Sequence, residues 1–376
     1  MLFVLALVVR LAFCWLVYPL LASRLGTGDD YDVIARALVG GEGYRLDGVD
    51  ARPERLPLAV LFFAAHFRLF GTASWPWQIS QAGLGALSCV LVYRLGKRIG
   101  APGGARLVGL FCALHPALLL YTARPMTETL YVFLMTAFLW ALGEQRSALA
   151  GVTLGLQWLA KSTAAIGMPA MLGLHRRWPA MIAAPVVLLP WGILNLVQLG
   201  TPWLLTATGG RALYHGLYIS RHAGWTTPAG DLNRDAELAL RGELAERGVA
   251  ASATVIERDR LAGRLAGDWI RAYPLAYTRL TLRNLVLTWY LGRSGASMIV
   301  YALLHAGLLS AAALGARRAW QSHPAERGWL VAALWLIASY TFVHAALHPA
   351  LRYVLPVVPC ATALAAAAWP RQTDRT

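Results

Sequence analysis

Two adjacent carboxylates, Asp29 and Asp30, with a third at Asp32, follow an apolar run from Met1 to about Leu21. Such a run is long enough to cross a membrane, so these acids fall where the membrane meets water. A carboxylate there can serve as a general base or bind a metal ion. Helix capping is the plain alternative, because acids stabilise helix N-termini and Tyr31–Val39 reads as a helix. Glu128 is the second acid of interest. It opens an apolar segment with no long polar loop around it, a depth at which an ionisable group is a functional candidate. Arg124, one helical turn earlier, is its obvious structural partner.

The cations follow a similar pattern. Lys161 is one of only two lysines and has Ser162 and Thr163 beside it. That trio can hold a phosphate, or the lysine can simply snorkel to the interface. Arg211, after Gly209-Gly210, is expected in a flexible loop able to hold an anion. His344, His348 and Arg352 crowd one turn. The histidine pair is a weak metal signal without a third ligand, and Arg352 is the better phosphate clamp. Acids that activate a nucleophile beside cations that hold an anion point to group transfer from a lipid phosphate.

The elements that must position these residues are membrane helices. Hydrophobic residues make up 57% of the chain and charged ones 14%, against about 25% charged in an average soluble protein; the mean hydropathy is +0.51. The runs are continuous rather than alternating, which excludes a β-barrel. An all-α polytopic protein is expected, as a single domain over 1–376. The formal charge of +15 would suggest nucleic acid in a soluble protein, but here the position of each charge matters more, and no nucleic-acid partner is expected.

About ten spans are predicted at roughly 20 residues each: 1–22, 77–95, 107–121, 127–142, 148–160, 163–174, 180–198, 297–314, 329–347 and 353–369. The first is read as a retained span, with Arg10 inside it either snorkelling or paired within the bundle. Basic links at Arg94, Lys97, Arg98 and Arg106, at Arg146, at Arg176 and Arg177, at Arg317, Arg318 and Arg327, and at Arg371 and Arg375 all fall on one side. By the positive-inside rule that side is cytoplasmic, as are both termini. Two long loops, 22–76 and 199–296, then face outward. The first holds an interfacial helix over Leu56–Phe70, and the second holds amphipathic helices over Asp231–Trp269. Trp75, Trp77, Trp191, Trp289 and Trp369 are expected in interfacial belts. Cys14, Cys89, Cys112 and Cys360 lie in apolar runs without a CxxC pair, so neither a disulfide framework nor a zinc site is expected.

Several motifs in order carry a family resemblance. Asp29-Asp30-Tyr31 with Ala35, Ala37-Leu38, Gly41, Gly43-Tyr44, Arg55 and Pro57-Leu58 resembles the first outer loop of GT-C membrane glycosyltransferases. The nearest group is the protein O-mannosyltransferase and aminoarabinose transferase-like one. Ala123-Arg124-Pro125-Met126-Thr127-Glu128 resembles that group's acid-bearing turn, and Pro190-Trp191, Asn195, Gly200 and Gly209-Gly210 its entry to the large outer loop. Trp269-Ile270-Arg271, Tyr273-Pro274 and Arg279 resemble its return helix, and His348, Arg352-Tyr353 and Pro356 its last outer turn.

The resemblance implies inverting transfer of a sugar from a polyprenyl-phosphate donor to a glycan, lipid or protein acceptor at the outer face of the inner membrane. Asp29 or Asp30, with Asp29 preferred, would be the base, and Glu128 would support the site. Arg124, Lys161, Arg211 and Arg352 would meet the donor phosphate, and Arg55, His348 and Tyr353 share the substrate-binding motifs. The group's first-loop pair is often Asp-Glu where this chain has Asp-Asp. Some members use a divalent metal and others do not, so a metal is left open. A transporter or flippase for a lipid-linked saccharide is the alternative from another class.

Overall fold

A computed structural model describes residues 1–25, 29–200, 202, 205–229, 232–249 and 253–369. Gly28, Asp231, Arg371 and Arg375 lie outside the described residues. The described chain is almost wholly helical and includes one two-stranded hairpin. It divides into two compact units. One comprises Met1–Leu204, Leu308–Ile337 and Leu355–Thr376, and the other Leu205–Gly307 and Ala338–Val354.

Among the described residues six helices are long and apolar enough to cross a membrane: Leu2–Ser23, Trp75–Ile99, Trp178–Leu199, Gly295–Ser322, Pro324–Leu347 and Leu351–Ala368. The count is up to seven if a bent pair, Pro102–Leu114 with Pro116–Thr122, is one span. The expected spans at 127–142 and 148–160 are apolar helices of 16 and 14 residues. The one at 163–174 is a 3-10 helix of 12 residues, Ser162–Gly173.

The first unit opens with α1 (Leu2–Ala12), a π-helical turn at Phe13–Val17, and α2 (Tyr18–Leu25). Then come α3 (Tyr31–Val39), the hairpin β1 (Arg45–Leu46) and β2 (Val49–Asp50), and α4 (Pro57–Phe70). The hairpin turns at Asp47-Gly48, both with positive φ, the pair that a tight two-residue connection favours. Helices α3 and α4 share a core of Tyr31, Ile34, Val60, Phe63 and Phe67 with Trp77. Helix α5 (Trp75–Ile99) is followed by α6 (Pro102–Leu114), α7 (Pro116–Thr122), α8 (Glu128–Gly143), α9 (Ser147–Ala160) and α10 (Trp178–Leu199).

Two physical devices shape this unit. On α9, Gly151 and Gly155 are four residues apart on one face. A Cβ at either would meet the Ala180 or Ala184 carbonyl oxygen at 2.4 or 2.8 Å. The missing side chains let α9 and α10 pack backbone to backbone, the small-residue contact typical of membrane helices. The second device is the 49° bend between α6 and α7. Pro116 has no N–H, so the carbonyl four residues earlier, at Cys112, loses its helical donor. Arg10 supplies replacements: Nη2 donates to Cys112 O (3.2 Å) and Nη1 to Ala113 O (3.4 Å). Arg10 is 1% exposed, so of the two expectations for it, pairing within the bundle is the one observed.

In the second unit, α11 (Gly209–His222), α12 (Leu232–Glu246), α13 (Val255–Ala272) and α14 (Pro274–Leu287) occupy much of the expected long loop. The amphipathic helices expected over Asp231–Trp269 correspond to α12 and α13. Helix α13 starts in a reciprocal capping box between Thr254 and Glu257, which satisfies the first free N–H groups. Helices α15 (Gly295–Ser322) and α16 (Arg327–Leu347) each contribute residues to both units, whereas α17 (Leu351–Val354) belongs to the second and α18 (Val358–Ala365) to the first.

The tryptophans depart from expectation. Trp75 and Trp369 are exposed, but Trp77, Trp191 and Trp289 are buried. Their rings pack on Phe63, Tyr44 and His305 at 5.5, 5.5 and 5.6 Å. Aromatic neighbours inside the protein take the place of headgroups.

Candidate functional site

The acids that precede α3 are not ordinary caps. Asp30 occupies the N-cap position but has φ 64° and makes no side-chain capping hydrogen bond. Left-handed backbone at a non-glycine residue is uncommon and carries strain. Its carboxylate is directed to Arg55, with Oδ2 3.8 Å from Nη2. Arg55 Nε also donates to the Asp29 carbonyl at 2.9 Å, and its guanidinium lies 5.7 Å from the Tyr31 ring centre. Burial pushes the Asp30 carboxyl above its usual range; Arg55 opposes the shift, and Asp29, Asp32 and Asp47 add to it.

Arg55 is itself anchored from the motif Gly43-Tyr44. The Tyr44 hydroxyl donates to Arg55 O and Leu56 O at 3.0 and 3.1 Å, and its ring packs on Trp191. Gly41 and Gly43, with φ 87° and 86°, let the chain turn out of α3 toward this contact. The segment around Asp29 and Asp30 is therefore tied to the segment before α4 through one arginine.

A second cluster surrounds Glu128, which is fully buried. Its Oε1 is 2.8 Å from Lys161 Nζ, at the C-cap of α9, and the ammonium lies 5.8 Å from the Tyr131 ring centre. Sequence spacing names Arg124 as partner, whereas the close ion pair joins residues 33 positions apart. Among the described residues Glu128 Oε2 has no hydrogen-bond partner. Arg124 is also buried, and its guanidinium is 6.0 Å from the Tyr121 ring centre.

Two glutamines of α5 hold the turn that bears these groups. Gln78 Nε2 donates to Ala123 O at 3.4 Å, and Gln81 Nε2 donates to Arg124 O at 3.1 Å. Gln78 Oε1 accepts from the Trp15 indole in the π-helical turn at 3.3 Å. These positioning residues were missed in the sequence. The available signal was a pair of amides three positions apart, on one face of a helix expected to span the membrane.

The remaining site residues belong to the second unit. Arg211 is in the first turn of α11, not in the flexible loop expected from Gly209-Gly210. A Cβ at Gly210 would lie 2.0 Å from Asp259 O, so this glycine serves helix packing. Arg211 Nη2 is 2.9 Å from Glu237 Oε2, and its backbone N–H donates to Asp259 Oδ1 at 2.8 Å. Burial pushes the Glu237 carboxyl up, but His215, Arg211 and Arg241 outweigh it and hold it at about 2.

Near α17, the His344 ring stacks on Tyr353 at 4.8 Å and 7°. His348 meets the same ring edge-on at 5.1 Å, and Arg352 lies 4.8 Å from its centre while donating to the Tyr353 hydroxyl at 3.1 Å. The result is a compact aromatic and cationic surface. Among the described residues no group of three or more His, Cys, Asp or Glu is gathered to hold a metal ion.

Thus the first unit joins Asp29 and Asp30 to Arg55, and Glu128 to Lys161. The second unit joins His348, Arg352 and Tyr353, and separately ties Arg211 to Glu237. No family model, no curated protein and no solved structure matches the chain.

Proposed function

We propose that the protein is an inverting glycosyltransferase of GT-C type that moves a sugar from a polyprenyl-phosphate carrier to an acceptor at the outer face of the inner membrane. On this reading there are about ten spans, the shorter apolar helices among them, and the hairpin and α11–α14 belong to outward loops. The observation that carries the reading is the Asp30 carboxylate, which is not used to cap its own helix, is held by Arg55 and is biased by burial toward accepting a proton. The ordered motifs that resemble the GT-C group support it.

In this reaction Asp30, rather than the Asp29 preferred from the sequence, takes the proton from an acceptor hydroxyl as the acceptor oxygen attacks the anomeric carbon. The bond from that carbon to the carrier phosphate breaks on the opposite face, which inverts the configuration and releases polyprenyl phosphate. Cations that meet the growing negative charge on the leaving phosphate lower the barrier. Lys161, at the end of α9 and beside Glu128, is the assigned contact.

The test is release of polyprenyl phosphate from radiolabelled polyprenyl-phosphate sugars by the purified protein in lipid. Turnover by wild type and its loss in both Asp29→Asn and Asp30→Asn supports the reading; no release from a panel of donors overturns it. A flippase reading draws on one observation, the broken α6–α7 pair with Arg10 buried beside it, since broken helices and intramembrane charge mark transport sites. Movement of intact labelled donor across a vesicle bilayer without cleavage favours that alternative.

A further inference from the structure

A narrow cavity in the first unit, wide enough for water-sized molecules and little more, is lined by Arg10, Ser88, Tyr121, Thr122, Glu128 and Thr129 among others. Three of these residues are almost completely buried, and each has a polar atom without a hydrogen-bond partner among the described residues: Arg10 Nε, Glu128 Oε2 and Thr129 Oγ1. The other nitrogens of Arg10 are engaged by the Ala6, Cys112 and Ala113 carbonyls, and the other oxygen of Glu128 by Lys161. A donor, an acceptor and a hydroxyl that serves as either therefore belong to residues that line one small, largely apolar space. Leaving buried groups of this kind unsatisfied is unfavourable, and a buried water typically makes about three hydrogen bonds.

The opening has a specific origin. A Cβ at position 85 would lie 2.3 Å from Arg10 Nε, so Gly85 on α5 makes the room that admits the guanidinium. Ser88 and Thr122 spend their hydroxyl protons on the Leu84 and Leu118 carbonyls, 3.0 and 2.8 Å away. Their oxygens remain able to accept. The lining residues thus carry more acceptors than donors, which suits a molecule with two protons to give.

We propose that this cavity is a binding site for water, and that the bound water connects Arg10 on α1 to Glu128 on α8. It accepts from Arg10 Nε and donates to Glu128 Oε2, with Thr129 Oγ1 as its third partner. Arg10 is then a positioning residue for Glu128, complementing Lys161 from the opposite oxygen. The assignment stands independently of the glycosyl-transfer reading, because it concerns a hydration site and its test does not measure activity.

The experiment is infrared difference spectroscopy on the purified, lipid-embedded protein, with wild type minus Glu128→Gln isolating the Glu128 carboxylate stretch. In H2-18O the wild type should show an O–H stretching band of buried water that moves with the oxygen mass. Thr129→Val keeps the side-chain shape and removes one partner, so it should displace or abolish that band and shift the Glu128 carboxylate stretch. Arg10→Lys, which retains the charge but loses Nε, should do the same. An absent water band, or a Glu128 stretch unchanged in both variants, overturns the proposal. If Arg10→Lys does not fold, Thr129→Val alone decides, and a shifted carboxylate without an oxygen-18-sensitive band counts against water.

Discussion

Replacing the Asp30 carboxylate with an amide keeps its shape and removes its ability to accept a proton. If Asp30 is the base, Asp30→Asn should lower turnover by about 10²–10⁴-fold with little change in donor affinity, measured by release of labelled carrier phosphate and by donor binding. The direction of its shift also fixes a pH dependence. Burial raises the Asp30 carboxyl and Arg55 lowers it, so activity should fall as pH drops toward a midpoint above the ordinary aspartate value of about 4. Arg55→Gln removes the opposing charge and should move that acidic limb to higher pH, read from the pH profile of turnover. For the buried pair the sign is structural. Lys161→Met leaves the Glu128 carboxylate without its ammonium and should destabilise the protein by about 3–5 kcal/mol. Combining it with Glu128→Gln should recover much of that loss, as measured by unfolding in detergent.

At the scale of elements, the helix after Asp30 was legible to the residue: Tyr31–Val39 was expected and is α3. A short apolar run also pointed to α4, and apolar residues at helical spacing to α12 and α13. What the sequence could not show was how tertiary contacts reassign local signals. Gly209-Gly210 looks like a loop because glycine is a poor helix former, yet Gly210 begins a helix where Asp259 leaves no space for a side chain. Glu128 looks paired to Arg124 by helical spacing, but its ion pair comes from the end of another helix. Asp30 reads as a cap by residue type, and only its tertiary contact with Arg55 reveals that the carboxylate is otherwise engaged. The close approach of α9 and α10 can be tested directly. Gly151→Val should cost about 1–3 kcal/mol or more by overpacking, whereas the same change at Gly103, which has nothing within 4 Å, should lack that penalty. In the second unit, the low carboxyl of Glu237 sets a different limit. Its stabilising contribution is present above the ordinary value of 4.5 and should be lost as pH falls toward about 2. Glu237→Gln should flatten that dependence in helix content followed by circular dichroism.

At the scale of the whole molecule, the sidedness proposed for the loops is open to chemical labelling. Asp47→Cys in the exposed hairpin turn should react with a membrane-impermeant thiol reagent from outside intact cells, and Gly103→Cys should react only after the membrane is opened. The native cysteines are all buried and give a low background. The bond from Arg10 to α6 also has a consequence for biogenesis. A guanidinium near the middle of a span costs about 2.5–3.5 kcal/mol on insertion scales, and the carbonyls that repay it are 102 and 103 residues further along the chain. During synthesis the first helix must therefore wait for α6 before it is at home in lipid. The insertion machinery should retain it through the intervening residues, and Arg10→Leu should release it early. Site-specific crosslinking of stalled nascent chains would record the difference as an earlier loss of contact between α1 and the insertion machinery.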